Sequence, residues 1–475
     1  MESAPTPHPI QIVVRDRALE RRRLTVVLRL ILAIPHIIWW WLWGIAIVVV
    51  APVLWAWALV TGGPTGLHGF YGAYVRYSVH LHAYVSLAAD PYPGFLGEPG
   101  YPVDLELPAP ARQNRWTIAF RIVLWLPAGV LASALVGGGS WSGGTGTSTS
   151  DGDWSWTYGA SFAGVLALVA IGAWFVILAR GRTNPGLRDL AVYCLGYAAQ
   201  AYGYLALLTD RYPDSAPALS RPWPQAAHPV RLTVDDDRRR SRLTVLFRLL
   251  LALPHLVWLT LWGVVALLAA IANWVATLVA GRSPDPLHRF LGAYVRYRVH
   301  VGAFLSLAAN PFPGFVGRPG TYPVDLEIDP SARQSRWITG FRIVLAIPAA
   351  FLSSALGSAA FVAAVLGWFA ALVTGRMPRG LRDLLAFCLR YDGQLSAYAN
   401  LLTDRYPYSG PTLETGPVPA GLDPLPAGTA PAGPPSPGAA PGPPPPDAAP
   451  GGPPPGWAPP APPRDLGDRP EAPDR

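Results

Sequence analysis

The 475-residue chain is 51% hydrophobic and only 14% charged, carries 19 Trp and has a net charge of +8. Long apolar stretches with almost no charge suit a lipid solvent and exclude an ordinary set of water-soluble domains. All 37 basic residues are Arg, which with the abundant Ala, Gly and Pro reads as genome composition; two cysteines, Cys194 and Cys388, support neither a disulfide framework nor a Cys-based metal site.

The first apolar stretch starts at Leu24 and runs to about Val60. It is too long for a signal-peptide core and lacks a small-residue cleavage site, so it is expected to be mature, membrane-embedded structure. A strand-like heptad, HPIQIVV, precedes it at position 8, and the same order recurs with YPVDLEL at 101, HPVRLTV at 228 and YPVDLEI at 322. Two Arg six apart follow in every copy: Arg23 and Arg29, Arg115 and Arg121, Arg242 and Arg248, Arg336 and Arg342. Pro35, Pro127, Pro254 and Pro348 come next, then the apolar stretch, a second helical segment, and a closing DPYP, DRYP, NPFP or DRYP. Four aligned copies define repeat units over 8–95, 101–213, 228–315 and 322–408.

The copies alternate between two types. Units one and three share PH after the second Arg, a GAYVRY box, and SLAA followed by Asp or Asn; units two and four share ARQ-x-RW, FRIVL, GLRDL and LLTDRYP. The chain is a duplicated pair. From 410 to 475 the sequence turns to Pro, Ala and Gly without apolar periodicity and is expected to be a disordered tail, a candidate binding segment for protein partners.

Leu24 to Val60 as one helix would measure roughly 55 Å at about 1.5 Å per residue, against a hydrocarbon core of about 30 Å. Unit two carries a polar insertion at about 137–159, nine residues after its Pro, where the other units have Gly44, Gly263 and Gly357. A polar loop cannot face lipid in mid-membrane. Each stretch is therefore expected to be a helical hairpin turning at glycine, its Arg-flanked ends cytoplasmic, with Trp39, Trp40, Trp41 and Trp43 in an outer aromatic belt. A re-entrant hairpin is the alternative. Either way the four units run parallel.

The next segment, such as Leu67 to Ala89, mixes Tyr, Arg and His at helical spacing and is expected to be a basic amphipathic helix on the inner leaflet. The strands, with Val103, Leu105 and Leu107 alternating against Asp104 and Glu106, are expected to pair into a small cytoplasmic sheet. The predicted class is a mainly α-helical, multi-pass protein of the cytoplasmic membrane, each repeat a short strand, a hydrophobic hairpin and an amphipathic helix.

These motifs, read together as P-V-x-L-x-V, R-x5-FR-x-LLA-x-PH, a hydrophobic hairpin, TGR-x-PRGL and LLTDRYP, resemble a bacterial membrane-protein family catalogued as domain of unknown function 4389. Here they are YPVDLEI at 322, Arg336 to Arg342, TGRMPRGL at 374, LLTDRYP at 401, and Pro35-His36 and Pro254-His255. The family has no established activity to transfer, so the resemblance implies architecture alone.

Arg29, Arg121, Arg248 and Arg342 lie inside apolar arms, where a charge must snorkel or be paired. They are expected to reach inner headgroups, or the strand acids; lining a central anion cavity is the alternative. Arg76 and Arg296, on the amphipathic helices, are further candidate lipid-phosphate contacts. All nine His lie in units one and three, but His68 and His80 are twelve apart and no metal-binding spacing occurs, so hydrogen-bonded structural histidines are expected. No catalytic motif, metal site or cofactor loop is found, and neither a cofactor nor nucleic acid is expected as a partner. The reading is a non-enzymatic scaffold bound to the lipid bilayer through anionic lipids, with a small-solute or ion transporter or channel as the second reading.

Overall fold

In the computed structural model the described residues are 7–15, 19–63, 66–137, 140–141, 160–161, 164–217 and 228–412. The expected tail beyond 412 and most of the polar insertion lie outside them.

Unit one comprises β1 (Gln11–Val14), α1 (Arg23–Thr61) and α2 (His68–Val85). Unit two has β2 (Val103–Glu106), α3 (Arg115–Ala119), α4 (Arg121–Val136), the two-residue strands β3 (Ser140–Trp141) and β4 (Ala160–Ser161), α5 (Val165–Arg180) and α6 (Pro185–Leu205). Unit three is β5 (Val230–Val234), α7 (Arg242–Leu246), α8 (Arg248–Ala280) and α9 (Asp285–Leu305); unit four is β6 (Val324–Ile328), α10 (Arg336–Gly340), α11 (Arg342–Thr374) and α12 (Arg379–Ala399).

The expected glycine hairpins do not form. Gly44, Gly263 and Gly357 are interior residues of α1, α8 and α11, which are long and apolar enough to cross a membrane. A lone glycine costs a helix only about 1 kcal/mol, whereas a turn among apolar residues strips partners from several backbone groups. Gly44 and Gly263 instead admit a neighbour: an added Cβ would come 3.0 Å from Tyr74 Oη and 3.1 Å from Tyr294 Oη. In unit two the insertion splits the same rod. α4 meets α6 at one end, through Trp125 and Tyr202, and α5 meets it at the other, where Gly172 approaches Leu187. The two halves therefore line up along α6 instead of folding back on each other. The insertion leaves and rejoins at adjacent points, because an added Cβ on Gly164 would overlap Gly137 and Val136.

Each rod ends at a glycine in the left-handed region: Gly62, Gly181, Gly281 and Gly375, with φ of 62°, 73°, 69° and 71°. Such a residue closes a helix by letting its N–H reach back to a carbonyl, as Gly62 does to Ala58. The second helix then returns antiparallel along its rod, with Tyr71 against Ile47, Tyr77 against His36 and Tyr84 against Arg29.

The expected amphipathic surface helices are the centre of the fold. In α2 no residue from Phe70 to Val85 is exposed, α6 and α12 are buried on most of their residues, and α9 on about half. The long apolar rods are outermost, with Leu24 74%, Trp41 65% and Val60 73% exposed. Of the Trp cluster, Trp40 donates to Ser78 and Trp43 stacks among Phe70, Tyr74 and Tyr77, so Trp41 alone points well outward. The strands pair two by two within each half: β1 with β2 (Gln11 opposite Glu106, Val14 opposite Val103) and β5 with β6 (Val230 opposite Ile328, Val234 opposite Val324), both antiparallel.

The two rods of a pair run in opposite directions, which overturns the parallel arrangement that hairpins would give. The start of α1 lies beside the end of α5, where Arg23 donates to Ala179 O, and its end lies beside α3, where Gln113 N–H donates to Gly62 O. α7 and α8 repeat this with α11 and α10, through Arg242 on Val373 O and Gln334 N–H on Gly281 O. The two pairs meet where α11 packs on α4 and α5.

Candidate functional site

The buried arginines are the most charged feature of the interior, and the geometry gives each a defined task. Arg29, Arg121, Arg248 and Arg342 are all 1–2% exposed. Each points its guanidinium at the C-terminus of its own unit's second helix, where the last carbonyls have no intrahelical partner. Arg29 Nη1 donates to Tyr84 O (2.9 Å) and Ala89 O (2.8 Å), and its Nη2 reaches Asp90 Oδ1 at 2.7 Å. Arg248 Nη1 donates to Phe304 O and to Ala309 O (3.1 Å), and Arg342 Nη1 to Tyr398 O and Thr403 O (2.6 Å). Arg121 Nη1 donates to Thr209 O at 3.0 Å. All four guanidinium groups also lie 4.1–4.5 Å from the ring centre of Tyr84, Tyr204, Phe304 or Tyr398.

The helix ends they clamp are themselves unusual. Leu87, Leu207, Leu307 and Leu401, one per unit, have φ of 60–64°. A branched residue there costs roughly 1–2 kcal/mol, offset at Leu87, Leu307 and Leu401 by burial to 2–3% exposure. The alternating sequence boxes complete the clamp. Units one and three supply Asp90 or Asn310 to the second guanidinium nitrogen; units two and four supply Gln113 or Gln334, the Gln of ARQ, whose amide also donates to Leu207 O or Leu401 O. The expected reach of these arginines to headgroups or to the strand acids is thus corrected: their Nη atoms are engaged at close range by carbonyl and side-chain oxygens at the helix ends, and only the buried Nε of each is left without a partner.

Arg76 and Arg296 are also turned inward. Arg76 Nε donates to Leu105 O at 3.1 Å and Arg296 Nε to Leu326 O at 2.9 Å, tying the second helix to the ribbon. Both flank a buried carboxylate. Asp104 accepts from the Gly100 amide (2.7 Å) and lies 3.0 Å from His80 Nε2; Asp325 accepts from Gly320 and lies 2.7 Å from His300 Nε2. Burial alone would raise both carboxyls. The His and amide donors outweigh it and hold them below the ordinary 3.8. His36 and His255 are likewise hydrogen-bonded, to Tyr77 Oη and Tyr297 Oη, whereas the buried Nε2 of His68 has no partner. Among the described residues no group of three His, Cys, Asp or Glu could hold a metal.

Of the polar features found in one pair only, sequence reading missed an ion pair between second helices. Arg298 of α9 makes a two-point ion pair with Asp392 of α12, both contacts 2.8 Å, and also donates to Ser396 Oγ. The equivalent positions in the first pair are Ser78 and Ala198. Aligning the halves and asking where charge appears only once would have found it. The pair borders a cleft of about 160 Å³ lined by Ser306, Ser353, Gly357, Cys388 and Asp392. At about 30 Å³ each, a few waters fill it, and it is well short of the roughly 300 Å³ at which small-molecule sites begin. Ser353 Oγ is 3.4 Å from an Asp392 oxygen already engaged by Arg298, and burial pushes the Cys388 thiol up to about 12, so neither is an activated nucleophile.

The architecture defines a class of repeat protein built from antiparallel pairs of clamped rods. The chain belongs to the family described as Domain of unknown function (DUF4389), whose model matches residues 23–97, 159–215, 242–316 and 336–409, more than half of the sequence. In unit two the match begins only at the end of the insertion; the clamp at Arg121 assigns α4 to the same repeat. No curated protein and no solved structure matches the chain.

Proposed function

We propose that the protein is a non-enzymatic scaffold of the cytoplasmic membrane, held by its rods in the bilayer, recruiting anionic lipids and partner proteins to the inner face. The observation that carries this is the reversed gradient of polarity: the most apolar helices are outermost and the Tyr-, Arg- and His-bearing ones innermost, an arrangement that suits a lipid solvent. Exposed arginines at the rod ends, among them Arg22, Arg112, Arg239, Arg282 and Arg376, supply the attraction to anionic headgroups that the buried clamps do not. Glu106, Arg231 and Glu327 on the ribbons are the polar face left for protein partners, and the Pro-rich sequence from 410 is a separate candidate binding segment.

The opposed rods of each pair and the cleft beside Arg298 and Asp392 favour a second reading, a transporter or channel, since inverted repeats are frequent there. Purified protein in liposomes separates the two. The scaffold reading expects no ion or small-solute flux and tighter binding to anionic than to zwitterionic vesicles. Flux that disappears with Asp392→Ala would replace it by the transporter reading.

A further inference from the structure

We propose, given membrane residence, that the rods lie along a single leaflet, parallel to the bilayer plane with both ends at one interface, and do not cross. The partner of the apolar face is then the acyl-chain layer under one set of headgroups.

Four observations converge on this. α1 spans 39 residues and α8 and α11 span 33 each, about 58 Å and 50 Å at roughly 1.5 Å per residue, against a core about 30 Å thick. The apolar surface of α1 does not stop after 20 residues: Leu24 at one end and Val60 at the other are equally exposed. Secondly, both ends carry exposed arginine. Arg22, Arg23, Arg180 and Arg182 gather where α1 begins and α5 ends, and Arg112 and Arg115 where α1 ends. Arginine concentrates on the cytoplasmic side of a crossing helix, so symmetric ends argue for one interface.

The third observation is the polar insertion of unit two, which departs between Gly137 and Gly164, at the middle of the α4–α5 rod. In a crossing rod that point is the bilayer centre, where a loop facing lipid is forbidden. Finally, the ribbons rest against the interior stretches of the second helices, Arg76 to His80 and Arg296 to His300, which pack beside His36 and His255 within α1 and α8. Crossing rods would hold the exposed Glu106 and Glu327 and the partly exposed Arg231 near mid-membrane, where a charge without a partner is costly. Rods lying in one leaflet put the ribbons, the Gly137–Gly164 junction and the arginines near the same aqueous boundary.

The test uses the full chain in sealed vesicles, with single cysteines at the exposed Arg22→Cys and Arg112→Cys and a membrane-impermeant maleimide; the parent chain, whose two cysteines are buried, is the blank. Both positions should react from the same side, and reaction from opposite sides overturns the proposal. Fluorophores at Leu24→Cys, Val48→Cys and Val60→Cys, quenched by lipids brominated at graded depths, should report one common depth. A profile in which one end is shallow on each side and Val48 deepest overturns it equally. Membrane residence is read separately: release of the chain by alkaline carbonate would reject the scaffold reading itself.

Discussion

Replacing Arg248 by Gln tests whether the buried arginines are clamps or lipid ligands. The substitution removes donors to Phe304 O and Ala309 O and the contact with Asn310 Oδ1. Hydrogen bonds to a charged group contribute about 1.5–3 kcal/mol each, and stacking on the Phe304 ring adds about 1. Gln is too short to reach the same acceptors, so two buried carbonyls lose their partner. Against this, the folded chain no longer desolvates a guanidinium, and the expected net loss is about 3–5 kcal/mol. Lys keeps the charge but not the two-armed geometry, so Arg248→Lys should lose about half as much. Arg22→Gln, at an exposed position, should stay within about 0.5 kcal/mol. Unfolding in lipid nanodiscs, with anionic-vesicle binding measured in parallel, decides it. If Arg248→Gln is no less stable than Arg22→Gln yet binds anionic lipid more weakly, the clamp is wrong and the headgroup reading is restored.

Gly317→Ala should be far more damaging than Gly281→Ala in the same unfolding assay. Both residues are in the left-handed region, but a Cβ at 317 would meet Ala293 O at 2.2 Å and Tyr297 N at 2.8 Å, whereas at 281 nothing lies closer than 3.9 Å; the milder change should lose about 1 kcal/mol. His228 is pushed down to about 4 by burial, from 6.5, so as pH falls the unfolded chain binds the proton first. Stability should therefore drop between pH 6.5 and 4 by at most about 3 kcal/mol, and His228→Gln should flatten that slope in a pH series of melts. Exchanging Arg298 and Asp392 for the first pair's Ser and Ala should give a coupling of about 1 kcal/mol or less in a double-mutant cycle, because both side chains are about a third or more exposed; a coupling several times larger would show the cleft to be dry.

The repeats, their two alternating types and the Arg pair were legible because each is a recurrence of residue types at fixed spacing. The paths of the rods were not. Glycine at the same place in three units, with a polar insertion at that place in the fourth, fits a turn and an interrupted rod equally well. Which it is depends on Tyr74 and Tyr294 filling the space beside Gly44 and Gly263, contacts far apart in sequence. The second helices misled for a related reason. Arg76 and His80 look like a polar face until Leu105 and Asp104 of another unit cover them, and hydrophobic periodicity sees only one segment at a time.

The six-residue spacing of the two arginines explains why the units come in pairs. The second Arg of each unit clamps a helix of its own unit, so a single unit could satisfy it. The first Arg serves the neighbour: Arg23 caps α5 through Ala179 O, Arg242 caps α11 through Val373 O, Arg336 caps α8 through Val279 O, and Arg115 Nε lies beside Gly62 at the end of α1. A unit on its own would leave both its rod's last carbonyls and its first Arg without partners, and its strand would have no edge to pair with. Two opposed units close all three deficits at once. Pairing of the pairs needs much less: α11 against α4 and α5, and the trailing segments crossing over, Tyr408 and Ser409 onto Gly186 of α6 and Asp214 and Ser215 onto Gly380 of α12. The pair is therefore the smallest set of units in which these groups find partners, and the second pair carries an ion pair, Arg298 with Asp392, where the first has Ser78 and Ala198.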